Sequence, residues 1–354
     1  KDALSIAGIT TLFFSINPVH SETVNYISAR AVGMSSFFYL SAFLSFIVGS
    51  FRERKTSSRF LLYFLSLICF LASTLSKETA LTFPIVLFLY DVCFMKKNDW
   101  VPLTNRLLFF YLPLFLCGIF AIVNIHSLQS MIIEWWQKID IEYGLRQIHV
   151  IGHGARLILF PIGLTFDYDF PNTFFTTHTL FYPAFLFALG IILMIALYFS
   201  KTRSIVFFCI LWFLITLAPT NSVLPRFDLL SERNLYLPSF GIIFLVAFAI
   251  HQTVLASRSL LTVKIIGTYS IVILFFLQVI LLHERNLIYR SNTILWEDTL
   301  KKSPAKLRAL HNLSHFYMAE KNHTKAFITL RSLVKSNASP HYLSYAHSNL
   351  GSIY

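Results

Sequence analysis

Three short groups of ionisable residues interrupt or flank the long apolar stretches of this chain. They are His20, Glu22 and Arg30; Lys77 and Glu78; and Glu232 and Arg233. A charged side chain at membrane depth is costly, so such residues usually face a cavity or a polar path and mark a functional site. These groups are therefore where the sequence first indicates chemistry.

The cations in these groups suit the binding of an anionic substrate. Lys77 carries a compact ammonium, which binds a phosphate as a point charge. Arg233 carries a planar guanidinium, which binds a phosphate or a carboxylate through two parallel N–H groups. The alternative is structural. Glu22 would then pair with Arg30 at the membrane interface, and Glu232 would pair with Arg233.

Other polar residues lie close to these groups in the sequence. Asp91 falls inside an apolar run, where an unpaired aspartate would be strongly unfavourable. We expect His20, Asp91 and Tyr236 to line the same site. Asn17-Pro18 ends the first apolar stretch, and Ser21 and Ser231 are each predicted to cap the helical turn that follows.

The elements that must position these residues are membrane-spanning helices. Hydrophobic residues make up 56% of the chain and charged residues only 13%. A run of about twenty apolar residues crosses a hydrocarbon core of about 30 Å. Such runs occur at 31–50, 59–75, 79–95, 106–126, 181–200, 204–219, 238–257 and 264–283, and residues 1–16 have the pattern of the tail of one more span. The pattern predicts an all-α fold, a polytopic helical bundle of nine spans.

The basic linkers set the predicted orientation, because short cytoplasmic loops are rich in Lys and Arg. Four such linkers occur, with basic residues at 52–59, 96–106, 201–203 and 258–264. Placing them in the cytoplasm puts all three ionisable groups, and everything after residue 284, on the opposite face. Residues 145–166 are then predicted to form a re-entrant or interfacial helix on that face, since a further span would break the alternation.

The sequence predicts no metal site. His149 and His153 are four residues apart and can share a helical face, but they lack a third ligand. The four cysteines all fall in predicted spans without metal-ligand spacing, and we expect them to be buried small residues: Cys69, Cys93, Cys117 and Cys209.

The C-terminal tail is polar and helical, with the spacing of a tetratricopeptide repeat. The signature positions are Leu310, Leu313, Tyr317, Ala326, Leu330 and Pro340, and the pattern restarts at Leu350. An ordinary helical hairpin is the alternative. We predict two domains, a membrane domain over 1–283 and the start of a repeat domain over 284–354. The start at Lys1 and the stop at Tyr354 within the pattern favour a fragment of a longer protein.

Five segments in order resemble one family. They are NPVHSETVNYISAR, LSKETALTFPIVLFLYD, ARLILFPIGLTFDYDFP, APTNSVL followed by SERNLYLPSFG, and RNLIYRSNTILWEDTLKKSP. The chain resembles the transmembrane and tetratricopeptide-repeat O-mannosyltransferase family over nearly its whole length. The unbroken LSKET segment favours a prokaryotic-type relative.

The resemblance implies a multi-span glycosyltransferase of the C superfamily. Such an enzyme moves a sugar, in this family mannose, from a polyprenyl-phosphate carrier to a protein hydroxyl at the extracytoplasmic or lumenal face. Cations must then meet the leaving phosphate, and our candidates are Arg30, Lys77 and Arg233. The family's main acidic catalytic residue would lie upstream of Lys1. Supporting catalytic roles are left for the remaining carboxylates, Glu22, Glu78 and Glu232.

The implied partners follow from this chemistry. They are the lipid bilayer, the polyprenyl-phosphate sugar as donor substrate, and an acceptor protein held by the repeats. No cofactor is indicated, a divalent metal stays open, and no basic and aromatic pattern indicates nucleic acid. The membrane would be the plasma membrane in a prokaryote or the endoplasmic reticulum in a eukaryote, with the repeats outside or in the lumen. The alternatives are a lipid-linked sugar transporter and a non-catalytic anchor that presents repeats.

Overall fold

A computed structural model describes most of the chain and shows an all-α protein, as the sequence predicts. The described residues are 2–51, 55–95, 101–106, 111–112, 114–115, 130, 134, 139–170, 190, 203–226, 228–255, 261–336 and 338–353. Within these ranges the chain forms helices, turns and irregular segments, with no β-strand.

Helices make up the N-terminal, central and C-terminal parts of the described chain. The N-terminal helices are α1 (Asp2–Ser15), α2 (Ser21–Asn25), α3 (Arg30–Gly49), α4 (Thr56–Ser76), α5 (Phe83–Phe94) and α6 (Leu103–Arg106). The central helices are α7 (Ile141–Leu159), α8 (Arg203–Leu217), α9 (Tyr236–Ile250) and α10 (Leu261–Ile288). The C-terminal helices are α11 (Asn292–Lys302), α12 (Leu307–Ala319), α13 (His323–Lys335) and α14 (Pro340–Ile353).

Four of the described helices are long and apolar enough to cross a membrane, which indicates a membrane protein. These segments are Ile27–Gly49, Thr56–Ser76, Glu232–Val254 and Lys264–Ile288. A fifth span results if α1 and Pro18–Asn25, which meet at a bend of 52°, cross together. The predicted spans 106–126 and 181–200 fall almost wholly outside the described residues, so the number nine stays a prediction.

Small hydroxyl residues join α3 to α4. The Ser73 hydroxyl donates to the Ser35 carbonyl at 2.7 Å, and the Ser66 hydroxyl donates to the Ala42 carbonyl at 2.8 Å. Small residues let two membrane helices approach closely, and a hydroxyl can then bond to the neighbouring backbone. Two helices of low polarity thus gain a fixed register.

Trp212 and Gly241 hold α8 against α9. The Trp212 indole is fully buried and donates from Nε1 to the Leu237 carbonyl at 3.0 Å. A Cβ at Gly241 would lie 2.5 Å from the Cys209 carbonyl oxygen. Only glycine therefore permits this contact, which fixes the N-terminal part of α9, directly after the turn Glu232–Leu235.

Short connecting segments, which contain helical turns and the short helix α2, join the longer helices at one end of the bundle. They are residues 16–29 between α1 and α3, residues 77–82 between α4 and α5, and residues 218–235 between α8 and α9. Long-range bonds tie them together: the Ser231 hydroxyl donates to Glu22 at 3.0 Å, and the Lys77 ammonium donates to Asn234 at 2.9 Å. All three ionisable groups begin in these segments, so the structure brings together the turns that the sequence placed on one face.

Both predicted serine caps are wrong. Ser21 is itself the first residue of α2 and its hydroxyl makes no capping bond. Asn17 caps the preceding turn Pro18–His20 instead, because its side chain accepts from the Val19 N–H. Ser231 occupies the residue before the turn Glu232–Leu235 but makes no capping bond, since its hydroxyl donates to a distant carboxylate. A serine beside a buried carboxylate forms the stronger, charge-assisted bond instead.

Residues 139–170 form a helix followed by an irregular segment. Helix α7 begins at Ile141, after Asp140 caps it by accepting from the Tyr143 N–H at 3.1 Å. It ends at Leu159, and residues 160–170 then run without helix. Helix α7 is not one of the described helices that are long and apolar enough to span a membrane. Its re-entrant or interfacial placement stays a prediction.

The C-terminal helices α11 to α14 pack in succession along the chain. The predicted repeat positions Leu313, Tyr317, Ala326 and Leu330 are all buried in their interfaces. The predicted domain boundary at residue 284 falls inside α10, which continues to Ile288. A helix–helix array is therefore present, and its assignment as tetratricopeptide repeats stays a prediction.

Candidate functional site

We call the place where residues 16–29, 77–82 and 218–235 meet the junction, and Glu22 lies within it. It is 1% exposed. Its carboxylate accepts from the Ser231 hydroxyl at 3.0 and 3.1 Å and from the Arg233 backbone N–H at 2.9 Å. The Arg233 guanidinium lies 3.4 Å from Glu22 Oε1. Glu22 thus holds both the backbone and the side chain of the predicted phosphate-binding arginine.

Glu232 lies in a second hydrogen-bond network, formed with Arg285 and Tyr168. Its side chain is 0% exposed, and Arg285 of α10 donates to its two oxygens at 3.1 and 3.0 Å. The Tyr168 hydroxyl donates to Glu232 Oε1 at 2.7 Å. Burial and the adjacent Glu232 carboxylate raise the pKa of Tyr168 well above its ordinary value, so this phenol remains a neutral donor.

These contacts overturn both structural pairs expected from the sequence. Glu22 pairs with Arg233 and not with Arg30, which is exposed at the start of α3. Glu232 pairs with Arg285 and not with its neighbour Arg233. Adjacent residues on a helical turn point in different directions, so neighbours in sequence rarely face each other.

Lys77 and Glu78 also separate. The Lys77 ammonium donates to the Asn234 side-chain oxygen at 2.9 Å, while Glu78 lies 3.4 Å from Arg226. Burial lowers the pKa of Lys77 to about 8, against a smaller opposing effect of the Glu78 charge. Asn234 follows Arg233 on one short turn, so Lys77 and Arg233 approach the junction from two different elements.

His20 and Tyr236 pack against each other beside the junction. His20 Nδ1 lies 2.8 Å from the Phe14 carbonyl, and Nε2 lies 2.9 Å from the Ser239 hydroxyl. A carbonyl only accepts, so Nδ1 carries the proton of the neutral ring. The Ser239 hydroxyl donates to the Tyr236 carbonyl at 2.7 Å and lies beside Nε2. The Tyr236 ring packs edge-on against His20, with ring centres 4.7 Å apart. His20 is therefore held by polar contacts at both ring nitrogens, and the Tyr236 ring is held by packing.

Asp91 lies apart from the other predicted site residues. It forms a buried ion pair with Arg106, whose Nε donates to Asp91 Oδ2 at 3.1 Å. Asp91 is eight residues beyond Phe83 at the start of α5, about 12 Å along the helix axis. The structure therefore does not bring Asp91 to the junction.

Two cavities border the chain just before and within the turn Glu232–Leu235, one at residues 224–226 and the other at Asp228, Ser231 and Arg233. One is an apolar groove of about 480 Å³ between α5, α8 and the segment that follows α8, with the Glu78–Arg226 pair at its edge. Its apolar lining comprises Leu81, Ile85, Ile215, Ala218, Pro219, Leu224 and Pro225. The other is a polar cleft of about 230 Å³ that Glu22, Asp228, Ser231 and Arg233 border on one side.

Alternating charges connect the junction to the C-terminal helices. Arg308 of α12 lies 2.8 Å from Asp167 and 2.9 Å from Asp228. Asp228 in turn lies 3.6 Å from Arg233, which contacts Glu22. The C-terminal helices are thus docked onto the predicted site through a continuous row of ion pairs.

Several residues of this junction were not predicted from the sequence. Arg285, Asn234 and Asp228 were not singled out, and Arg226 was not recognised as the partner of Glu78. Arg285 did leave a signal, because it is the only arginine in a 28-residue apolar helix. The other partners lie in irregular segments, whose local sequence does not reveal what they meet.

His149 and His153 do not extend this site. The His153 ring packs against the rings of Tyr168 and Phe170, at 5.4 and 5.5 Å between centres. Among the described residues, no group of three or more His, Cys, Asp or Glu side chains is placed to hold a metal ion.

Comparison with known proteins supports the family resemblance. The chain is 24% identical over 393 residues to Protein O-mannosyl-transferase Tmtc3 of Drosophila melanogaster, and the match covers 93% of the chain. It is 24% and 23% identical to Protein O-mannosyl-transferase TMTC3 of Mus musculus and Homo sapiens, with 98% of the chain covered. The chain is a distant homologue of the TMTC3 proteins.

The homology confirms the predicted resemblance, while the prokaryotic type stays a prediction. The chain matches 40% of the length of each relative, so it spans less than half of these proteins. No family model and no solved structure matches it.

Proposed function

We propose that the chain is part of a membrane glycosyltransferase that moves mannose from a polyprenyl-phosphate carrier to a protein hydroxyl. The observation that carries the proposal is the junction itself. There residues 224–226 line the apolar groove, and Asp228, Ser231 and Arg233 line the polar cleft. The two candidate phosphate-binding cations, Lys77 and Arg233, lie nearby. The homologues are named as protein O-mannosyl-transferases, which supports the same class.

The apolar groove suits the lipid part of such a donor. Its walls are aliphatic side chains and prolines, and its edge carries the partly exposed Glu78 and Arg226. A prenyl chain would lie along the walls, with its phosphate at the charged edge next to Lys77. Mostly apolar pockets with a few convergent polar groups are typical of small-molecule sites.

Lys77 and Arg233 would stabilise the departing phosphate. In the transfer step the acceptor oxygen bonds to C1 of the sugar, and the bond from C1 to the phosphate oxygen breaks. The phosphate leaves with the electron pair, and the hydroxyl proton passes to a base. Fixed cations placed where this negative charge develops are the main way in which a protein accelerates such a step.

Each of the three candidate carboxylates would hold a guanidinium in or beside the junction. Glu22 orients Arg233, Glu78 contacts Arg226, and Glu232 holds Arg285. Each predicted glutamate therefore has a guanidinium partner in the structure, which suits the supporting roles given to them. The base would be the family's acidic residue upstream of Lys1. Arg30 is exposed, and its role at the phosphate rests on the resemblance.

The remaining parts of the proposal concern topology and partners. We place the junction on the extracytoplasmic or lumenal face of a nine-span bundle, as the basic linkers predict. The C-terminal helices would be tetratricopeptide repeats that hold the acceptor protein. The C-terminal helices pack beside the polar cleft. This supports the arrangement, because an acceptor bound to these helices would lie near the reacting sugar.

Transfer of radiolabelled mannose from polyprenyl-phosphate mannose to membrane proteins tests the proposal. We expect Arg233→Gln to lower the rate by roughly a hundredfold or more, since it removes a fixed cation from the leaving group. The matched control is Arg331→Gln, which removes an exposed arginine of α13. Equal rates for Arg233→Gln and Arg331→Gln at equal abundance would remove Arg233 from the site.

The same groove also fits a transporter of lipid-linked sugars, and the assay separates the two functions. A transferase leaves label covalently attached to protein. A transporter moves intact labelled lipid between leaflets and leaves the protein fraction unlabelled. Movement of lipid without protein label would replace the proposed function with the transporter.

A further inference from the structure

The polar cleft differs in kind from the apolar groove. It lies between the junction and the C-terminal helices, with Glu22, Ser231 and Arg233 on one side and Trp296, Arg308 and Asn312 on the other. Its volume is about 230 Å³. This is below the roughly 300–1,000 Å³ of pockets for drug-sized ligands, which limits an occupant to about one ring.

The charges that line the cleft are balanced. Two carboxylates, Glu22 and Asp228, face two guanidiniums, Arg233 and Arg308. Arg233 contacts both carboxylates, and Arg308 contacts Asp228 at 2.9 Å. A phosphate dianion inside the cleft would face the Glu22 and Asp228 carboxylates at close range, and this repulsion disfavours it there. A neutral ligand with several hydroxyl groups can instead donate to the carboxylates and accept from the guanidiniums without breaking the pairs.

Aromatic rings form another wall of the cleft. Phe166 meets Tyr26 edge-on at 5.1 Å between ring centres and Trp296 at 5.2 Å. The three rings come from three separate parts of the chain and all line the cavity. Ring faces carry partial negative charge, which attracts the polarised C–H bonds on one side of a sugar ring.

We infer that this cleft is a binding site for one pyranose ring, built jointly by the membrane region and the C-terminal helices. The aromatic wall would contact the C–H face of the sugar, and the balanced charged groups with Asn312 would bind its hydroxyls. The inference rests on the proposed function only for the source of the sugar. That source is either the mannosyl group of the lipid donor or a sugar already attached to the acceptor.

Asn312→Trp tests the inference, because it fills the cleft from an α12 position that is only partly buried. His315→Trp is the matched control, since it adds the same side chain one turn later on the exposed face of α12. The probe is methyl α-mannopyranoside, with binding to the protein in nanodiscs followed by saturation-transfer NMR. Tyr26→Ala, which removes part of the aromatic wall, is the second variant.

We expect the wild type to bind the mannoside and Asn312→Trp to bind at least roughly tenfold more weakly. His315→Trp should stay within about twofold, as is usual for an exposed substitution. Equal binding by all variants, or no binding by the wild type, overturns the inference. Binding of inorganic phosphate that Asn312→Trp abolishes, without mannoside binding, would also overturn it and assign an anion site.

Transfer kinetics identify the source of the sugar. If the cleft holds the donor's mannosyl group, Asn312→Trp raises KM for polyprenyl-phosphate mannose. If it holds a sugar on the acceptor, the variant raises KM for a mannosylated acceptor instead. Mannoside binding without any transfer would support the site while rejecting the proposed function. If Asn312→Trp leaves transfer unchanged and no mannoside binds, the proposed function is supported and the sugar site is rejected.

Discussion

Buried carboxylate–guanidinium pairs lie at both ends of the helical bundle, and their surroundings differ. Asp91 and Arg106 are 15 residues apart in sequence and sit near the end of α3, where Ser50 accepts from the Val101 N–H. At the opposite end Glu22 meets Ser231, 209 residues away, and Glu232 meets Arg285, 53 residues away. One pair is local, and the other network joins distant segments.

The comparison shows that a buried charge alone does not identify a site. Asp91 is buried at 4% exposure, much like Glu22, yet it lines neither the apolar groove nor the polar cleft. Glu22 borders the polar cleft and orients an arginine that is about a quarter exposed. What distinguishes the end with the candidate site is a set of partly exposed cations beside cavities, held in place by buried carboxylates.

Removing one member of either buried pair should have the largest effect. Arg285→Met leaves the buried Glu232 carboxyl without its cation, which should destabilise the fold by about 3–5 kcal/mol. Arg106→Met should cost about the same by leaving Asp91 alone. Thermal unfolding in detergent, followed by light scattering or a thiol-reactive dye, measures both.

A paired substitution sharpens this test. Glu232→Gln together with Arg285→Met removes both charges and should recover part of the stability lost in Arg285→Met. A double variant no more stable than Arg285→Met would show that the ion pair is not the cause. If Arg106→Met also abolishes transfer when folded protein is assayed, the distinction between the two ends of the bundle fails.

The pH dependence of transfer should report Lys77 at the end with the candidate site. Lys77 is cationic below its pKa of about 8 and neutral above it. The value of kcat/KM for the lipid donor reflects the free enzyme. It should therefore be level below about pH 7 and fall roughly tenfold per pH unit above the pKa.

Lys77→Arg separates this effect from other titrations. An arginine stays charged throughout the accessible range. The variant should keep some activity and lose the decline near pH 8, while Lys55→Arg, at an exposed position before α4, should retain it. A decline that persists in Lys77→Arg would assign the titration to another group.

The exposed pair at the groove edge should have the smallest effect on stability. The Arg226 and Glu78 side chains are 36% and 49% exposed, and solvent screens their attraction. Arg226→Gln should change the unfolding free energy by about 1 kcal/mol or less. If instead it destabilises as much as Arg285→Met, the contrast between buried and exposed pairs is wrong.

Much of the architecture could be predicted because its signals are local. The apolar runs 31–50, 59–75 and 264–283 all fall within described helices, to within a residue at their ends, since hydropathy and length suffice to define a span. The turn residues Asn17-Pro18 likewise mark the end of the first helix, which stops at Ser15. Four of the predicted repeat positions in the C-terminal tail are buried, as their spacing suggests: Leu313, Tyr317, Ala326 and Leu330.

The pairing of charges could not be predicted in the same way. The sequence groups Lys77 with Glu78 and Glu232 with Arg233, but the structure gives these four residues four separate partners or surroundings. Arg285 and Asp228 enter the junction from outside the predicted groups. Local sequence carries no information about which distant segment a side chain will meet.

The sequence by itself determined an all-α membrane protein and the three segments that carry its ionisable residues. Only the tertiary structure decided that Glu22 holds Arg233, that Arg285 neutralises Glu232, and that a polar cleft opens beside the C-terminal helices. The physical reason is geometric. Hydrophobic burial depends on composition along one helix, whereas successive residues of a turn point in different directions and must find their partners on other elements.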